Sequence, residues 1–294
     1  MSDAAPRPAA SLAICSFNGA KRLSACLDAV AALRCEKPWE IVLVDNASTD
    51  GTAALMQDFA TRAPVPVRYV RETRRGLGAA RVAALAAARG EVVVCTDDDC
   101  YAAPDLLSVM LAAFADPNLG YATGRILLFD PTDAPVTIQP STTPKRFPAG
   151  ETVPVGDVQG ANLAFRRDAA VAAGGFDPLL GAGTPFPSED FDFSLRMSAA
   201  GWDGVYLPEA VVYHHHGRKP DAAARLFRGY RIGAGAVYAK SVFFLPGLRG
   251  KVLLAWARQQ FWLLRSTPSL MFYEYWGAIR YLLARFGAAR GRAA

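Results

Sequence analysis

Three consecutive carboxylates, Asp97, Asp98 and Asp99, follow the apolar run Val92 to Cys95. Adjacent like charges repel, and a fold keeps such a cluster only where a cation or water compensates it. Side chains alternate along extended chain, so Asp97 and Asp99 face one way and Asp98 the other. Two hard oxygen donors on one side suit a hydrated divalent metal that also holds a diphosphate, although a solvated acidic turn fits the same residues. Asp45 ends a second apolar run, Glu40 to Val44, where its carboxylate accepts from a nucleobase N–H or simply shapes a turn. Glu189 and Asp190 follow the Gly/Pro-rich stretch 181–187 and open a predicted helix that Ser188 would cap. Arg74, Arg75, Gly76 and Arg81 surround another helix start, a natural anion site. There Arg81 reaches a phosphate or orders the acidic cluster. His214, His215 and His216 are the only histidines, and they follow the strand-like run Ala210 to Tyr213.

The elements that must position these groups are readable as well. Strands are expected over Ser11–Phe17, Glu40–Val44, Val65–Arg71 and from Val92, with helices over Ala20–Leu33, Thr52–Arg62 and from Gly76 to Arg89. Four strand–helix alternations argue an α/β fold with a doubly wound, mostly parallel sheet. Ligands of such sheets sit outside the carboxyl ends of the strands, where Asp45 and the triple Asp lie. Beyond a helix ending near Ala115, strands are expected over Tyr121–Phe129, Val155–Phe165 and Gly204–His214. Asp130–Pro154 reads as a Pro- and Thr-rich loop.

Five stretches, in this order, resemble the inverting family 2 glycosyltransferases of the GT-A fold. They are Ser16-Phe17-Asn18; Val44 to Gly51; Gly76 to Arg81; Asp97-Asp98-Asp99; and Gly174-Gly175-Phe176-Asp177 leading into Ser188 to Asp192. The resemblance covers about residues 11–217. It implies a GT-A catalytic domain there, with a nucleotide-binding half over about 11–116 and an acceptor-binding half over about 117–217. It implies a nucleotide diphosphate sugar, most often UDP-linked, as donor and a saccharide or lipid-linked saccharide as acceptor. Carried over residue by residue, Ser16, Asn18, Asp45, Asn46, Gly76, Arg81, Asp97 and Asp98 meet the nucleotide. Asp99 and His214 (with His216 as the alternative) hold Mg2+ or Mn2+, and Asp190 is the general base. Gln159, Gly160, Gly175 and Glu189 form the acceptor wall. A sugar-1-phosphate nucleotidyltransferase is the rival enzyme, but Ser16-Phe17-Asn18-Gly19 lacks the Gly-rich loop and basic residue it wants after the first strand. No Gly-x-Gly-x-x-Gly follows that strand, which disfavours a dehydrogenase. A non-catalytic sugar- or membrane-binding scaffold is disfavoured by intact Asp97, Asp99 and Asp190.

Composition bounds the rest. The chain has 294 residues, 52% hydrophobic and 20% charged, a globular balance. Residues 1–10 are expected to be a disordered tail without the apolar core of a signal peptide. Five cysteines without a Cys-x-x-Cys pair favour a reducing compartment, the cytoplasm. From Arg218 onward fourteen lysines and arginines face only Asp221 and Glu274. Residues 218–294 therefore read as a basic, aromatic-rich helical extension whose partner is anionic. Phospholipid or a phosphorylated substrate fits, and nucleic acid is not expected. Aromatic and basic residues on amphipathic helices predict peripheral contact through 222–290 with the inner face of the cell membrane. Packing into a homo-oligomer through these helices is the competing expectation.

Overall fold

A computed structural model describes residues 7–290. The first half alternates as the sequence predicts: β1 (Ala10–Ser16), α1 (Leu23–Ala31), β2 (Trp39–Asn46), α2 (Thr52–Arg62), β3 (Val67–Glu72), α3 (Leu77–Ala87) and β4 (Val92–Asp97). Next come β5 (Cys100–Ala102), α4 (Leu106–Ala113), β6 (Leu119–Leu128), β7 (Lys145–Phe147), β8 (Asn162–Arg166), α5 (Arg167–Ala172), α6 (Glu189–Ala199) and β9 (Asp203–His214). Three helices close the chain, α7 (Pro220–Phe244), α8 (Arg249–Ser266) and α9 (Ser269–Arg290).

One sheet runs in the order β3-β2-β1-β4-β8-β6-β9-β5, with β7 paired to β9. Alternation along its strands builds two cores, as a doubly wound sheet requires. Leu12, Ile14, Leu43 and Val94 face Leu23, Met56 and Leu106, while Ala13, Val42, Val93 and Cys95 face Ala80, Ala84 and Phe193. Each large apolar side chain so buried contributes about 1.5–3 kcal/mol. The parallel pairing stops at β4: β8 runs antiparallel to both β4 and β6, so the sheet is parallel across its first four strands and mixed beyond them.

Register decides where the chemistry lands. Ser16 pairs Asp45 and Cys15 pairs Asp97, which brings the carboxyl ends of β1, β2 and β4 flush. Cys100 pairs His214 across β5 and β9, which sets the histidine beside the triple Asp.

Several expectations need correction. The strand expected over 155–165 shrinks to β8, because Gly156 turns with positive φ and residues 155–161 become cleft wall. The Asp130–Pro154 loop contains β7, which pairs Tyr206 to Gly204 of β9. Ser188 makes no side-chain cap; it sits at φ 144, a strained backbone position for a residue with a Cβ. Of the expected N-terminal tail, residues 1–6 lie outside the described residues. Arg7 is held by Asp168 and by carbonyls of Arg89 and Gly90, and Ala10 already belongs to β1.

The C-terminal helices pack backbone to backbone. A Cβ on Gly235 would come within 1.9 Å of the Glu274 carbonyl, and one on Gly277 within 2.0 Å of the Ile232 carbonyl. They are also pinned to the sheet domain. Lys240 on α7 reaches Asp177 and Asp192, and Tyr281 on α9 donates to Asp177. Among the described residues no helix is long and apolar enough to cross a membrane.

Candidate active site

The carboxyl edge of β1, β2 and β4 opens into a cleft of about 510 Å³. Ser16, Asn46, Gly76, Arg81, Asp97, Asp98, Asp99, Gln159, Gly160, Glu189, Asp190 and His214 all line it, so residues far apart in sequence meet as expected.

The triple Asp divides as alternation dictates. Asp97, Asp99, Cys100 and His214 each offer a ligand atom, and these atoms lie within 4.8 Å of one another. His214 Nε2 is 3.2 Å from Asp99 Oδ1, and its Nδ1 lies 3.2 Å from the Thr137 hydroxyl. Asp98 turns the other way. Its carboxylate takes Arg22 Nε at 2.7 Å, Arg22 Nη2 at 2.9 Å and the Ser16 hydroxyl. Asp98 therefore braces the cleft wall, and its oxygens are already engaged, contrary to the expected nucleotide contact.

The electrostatics separate the neighbours. Burial raises the Asp97 carboxyl above its ordinary value, and the nearby Asp99 charge adds to this against the pull of Arg81. Burial opposes the Asp99 anion too, but the hydrogen bond and charge of His214 outweigh it and leave that carboxyl lowered. His214 moves up in turn, because Asp99 outweighs the cost of burying an imidazolium. Burial drives the Cys100 thiol well above its ordinary value, with Asp97 and Asp99 adding to it. Among these four donors the thiol is the soft one, which Mg2+ and Mn2+ favour least. Two carboxylates and one imidazole remain, a donor set that fits Mn2+ or Mg2+. His216, the alternative ligand, is outside the cluster: its Nδ1 accepts from the Arg218 amide and lies 3.7 Å from Asp133. His215 turns to the Tyr101 hydroxyl at 2.8 Å.

Arg81 is fully desolvated at the floor of the cleft. It pairs with Glu189 at 2.7 Å and lies 3.6 Å from Asp97, so it orders the acids, one of its two expected roles. Gly160 packs on its guanidinium, where a Cβ would come within 2.1 Å of Nη2. Burial pushes the Glu189 carboxyl up to about 7, with Arg81 pulling against it. Asp190 has no such partner among the described residues. Its Oδ2 accepts from the Gly160 amide at 2.9 Å and its Oδ1 from the Phe191 amide at 2.8 Å, in the first turn of α6.

Three expected residues stand behind the wall. Asp45 is fully buried, with its oxygens taken by the Ser48 amide at 2.9 Å and the Tyr69 hydroxyl at 3.3 Å, and with Arg71 at 3.6 Å. It shapes the loop after β2 and is not brought to the cleft for a base contact. Asn18 ties the first loop to the second by accepting from the Thr49 amide, and Gly175 turns with φ 62 against Leu85. Asn46 holds the α3 entry by accepting from the Gly76 amide and donating to the Arg74 carbonyl.

The cleft has a wall that the sequence motifs do not mark. Arg218, just before α7, and Phe227, Tyr230 and Arg231, in its first half, line it. So do Arg22 and the pair Arg75–Phe17, whose guanidinium lies 4.1 Å from the ring centre. The only signal was the density of basic and aromatic residues after Arg218. The α7 wall is in direct contact with the turn that leads into Asp190: a Cβ on Gly233 would come within 1.4 Å of the Pro187 carbonyl.

A family model described as Glycosyl transferase family 2 matches residues 11–171, and another described as Glycosyl transferase family group 2 matches residues 92–288. The N-acetylglucosaminyl-diphospho-decaprenol L-rhamnosyltransferase of Mycobacterium tuberculosis is 30% identical over 232 residues, covering 66% of this chain and 73% of that protein. An uncharacterized glycosyltransferase of Bacillus subtilis, YfnE, is 32% identical over 104 residues, 35% of this chain. That match spans 26% of the relative's length. A mannosyltransferase from Pyrobaculum calidifontis, solved with GDP-Man and Mn2+, superposes with a TM-score of 0.65 at 22% identity, covering 95% of this chain and 88% of that one. That last likeness is one of fold.

Proposed function

The chain belongs to glycosyl transferase family 2 and is a glycosyltransferase of GT-A fold; we propose that it is metal-dependent and inverting, and that it moves a sugar from a nucleoside diphosphate donor to a saccharide or lipid-linked saccharide. The observation that carries this is the meeting of Asp97, Asp99 and His214 with Asp190 in one cleft. A lipid-linked acceptor is supported by the diphospho-decaprenol in the name of the rhamnosyltransferase relative. It would place the reaction at a membrane surface. UDP-linked sugars are the first donors to try, on the motif resemblance.

Asp97, Asp99 and His214 would hold Mg2+ or Mn2+, which when bound supplies positive charge to the departing diphosphate. Asp190 takes the proton from the acceptor hydroxyl as that oxygen attacks the anomeric carbon. The bond from that carbon to the diphosphate oxygen breaks on the opposite face, and the electron pair leaves with the nucleoside diphosphate. The two backbone amides on Asp190 fix the direction of its carboxylate. Glu189, locked to Arg81, is left to shape the floor rather than to move protons.

Calorimetry with UDP, GDP and dTDP, each with and without Mn2+, tests the metal assignment. Binding of at least one nucleotide should require the metal and disappear in Asp99→Ala. Metal-independent binding that survives the substitution overturns it. A donor screen for released nucleoside diphosphate then identifies the sugar.

A further inference from the structure

The three C-terminal helices have two unlike sides. Their inner side is used up: Glu274, fully buried, accepts from Arg231 at 2.9 Å, Gln259 at 2.8 Å and Trp256 at 3.1 Å. Their outer side is apolar and partnerless among the described residues. On α9, Phe272, Trp276, Ile279, Leu283 and Phe286 are between 46% and 69% exposed. Their spacing of four, three, four and three residues puts all five on one helix face. Phe286 lies 6.5 Å from Phe243 and 6.1 Å from Phe244 by ring centre, so the exposed end of α7 joins the same patch. Exposed Leu254 and Phe261 form a second row on α8 with Arg258 and Arg265 at matching spacing. A monomer in water has no reason to display apolar side chains in rows.

Charge selects the occupant. Glu274 is the one acid on α8 and α9, and it is buried. Arg258, Arg265, Arg280 and Arg285 make no ion pair among the described residues. Arg265 lies 4.0 Å over Phe261 and Arg285 5.8 Å over Phe244, so these two cations ride on the apolar surface instead of leaving it, while Arg280 sits between Trp276 at 5.9 Å and the core ring of Phe186 at 5.8 Å. A second copy of this face would set cations against cations, with no exposed acid on either helix to receive them. A bilayer with anionic headgroups supplies both missing halves, a negative surface and an apolar interior just beneath it.

We propose that the outer face of α7–α9 is a docking surface for anionic phospholipid, with α9 lying in the plane of the interface and its aromatic row in the headgroup–acyl boundary. Trp276 is suited to that depth, since indole prefers the border of the two phases. The same helices wall the cleft through Phe227, Tyr230 and Arg231. Docking would therefore hold the cleft beside the membrane, where a lipid-linked acceptor would be presented. The surface itself does not depend on the reaction.

Flotation of the full chain with phosphatidylcholine vesicles, with and without phosphatidylglycerol, tests this without any turnover. Binding should need the anionic lipid and weaken as salt is raised. Tryptophan emission should shift to the blue when the anionic vesicles are added. Arg258→Glu with Arg265→Glu should weaken binding by at least about tenfold, since each cation near such a surface is worth roughly 1 kcal/mol. Trp276→Ser with Leu283→Ser, both at exposed positions, should remove the blue shift while the far-ultraviolet circular dichroism stays unchanged. Equal binding to neutral vesicles overturns the charge argument, and absence of binding overturns the surface. A dimer in sedimentation equilibrium that these same substitutions dissociate would assign the face to a second copy instead.

Discussion

Two groups of wholly or partly buried acids in this molecule are compensated very differently. Under the C-terminal helices every carboxylate has a cation: Asp177 and Asp192 share Lys240, Asp192 also takes Arg196, and Glu274 takes Arg231. In the cleft Arg22 serves Asp98 and Arg81 serves Glu189, while Asp97 is only grazed by Arg81 at 3.6 Å. Asp99 faces a histidine, and Asp190 has backbone amides alone. The response of two aspartates shows the difference. Lys240 holds Asp177 below its ordinary value despite burial, whereas burial lifts Asp97 above it. A buried pair contributes little net stability but is costly to break. The helix-side acids thus behave as fasteners. The cleft acids keep unmatched charge, which a cation and a substrate proton would relieve.

The largest test of that division is Asp190→Asn. The substitution keeps the shape and removes the proton acceptor, so transfer should fall by about 10²–10⁴. Donor binding and melting temperature should hardly move, because no cation of the fold depends on Asp190. Full turnover in the variant would remove Asp190 as base, and a large loss of melting temperature would place it among the fasteners.

The parts of this arrangement that the sequence discloses are those set by local pattern. Buried parallel strands announce themselves as the apolar runs ending in Asp45 and Asp97, and alternation alone separates Asp98 from its neighbours. What depends on distant pairing is not legible. β5 and β7 are three residues long and exist only because β9 is there to pair with them. The choice of His214 over His216 rests on the Cys100–His214 register. Local pattern leaves two roles open for Asp45, and the turn-shaping contacts are to Ser48, three residues on, and Tyr69 on the next strand. Tyr230 and Arg231 enter the cleft because α7 is fastened through Lys240 and Glu274, contacts that span 43 to 63 residues. No window of sequence carries that.

The fasteners themselves are tested by Lys240→Met. Methionine fills the space but strands Asp177 and Asp192 without their shared cation. Loss of one partner of a buried pair costs about 3–5 kcal/mol, which urea unfolding would read directly. The turn that carries Glu189 and Asp190 lies between these two acids, so turnover should fall too. Lys240→Arg should restore part of both. A Lys240→Met variant of wild-type stability would show that the helix-side acids are not held by this cation.

The smallest and sharpest test compares two isosteric changes in the metal-free protein, Asp177→Asn and Asp97→Asn. The folded-state pKa of Asp177 is depressed, so its contribution is present above the unfolded value near 3.8 and is lost as pH falls through the folded value. Asp177→Asn should therefore destabilise at neutral pH, by roughly 1–3 kcal/mol for a charged hydrogen-bonded group, and the difference from wild type should close in acid. The folded-state pKa of Asp97 is raised, so ionising it costs stability as pH climbs from 3.8 through the folded value. Asp97→Asn should accordingly leave the metal-free protein at neutral pH no less stable than wild type, or more so, while weakening Mn2+ binding. Melting curves of both variants between acid and neutral pH read the two signs. Equal losses in both would mean that Asp97 is a fastener too, and the distinction between the two groups of acids would collapse.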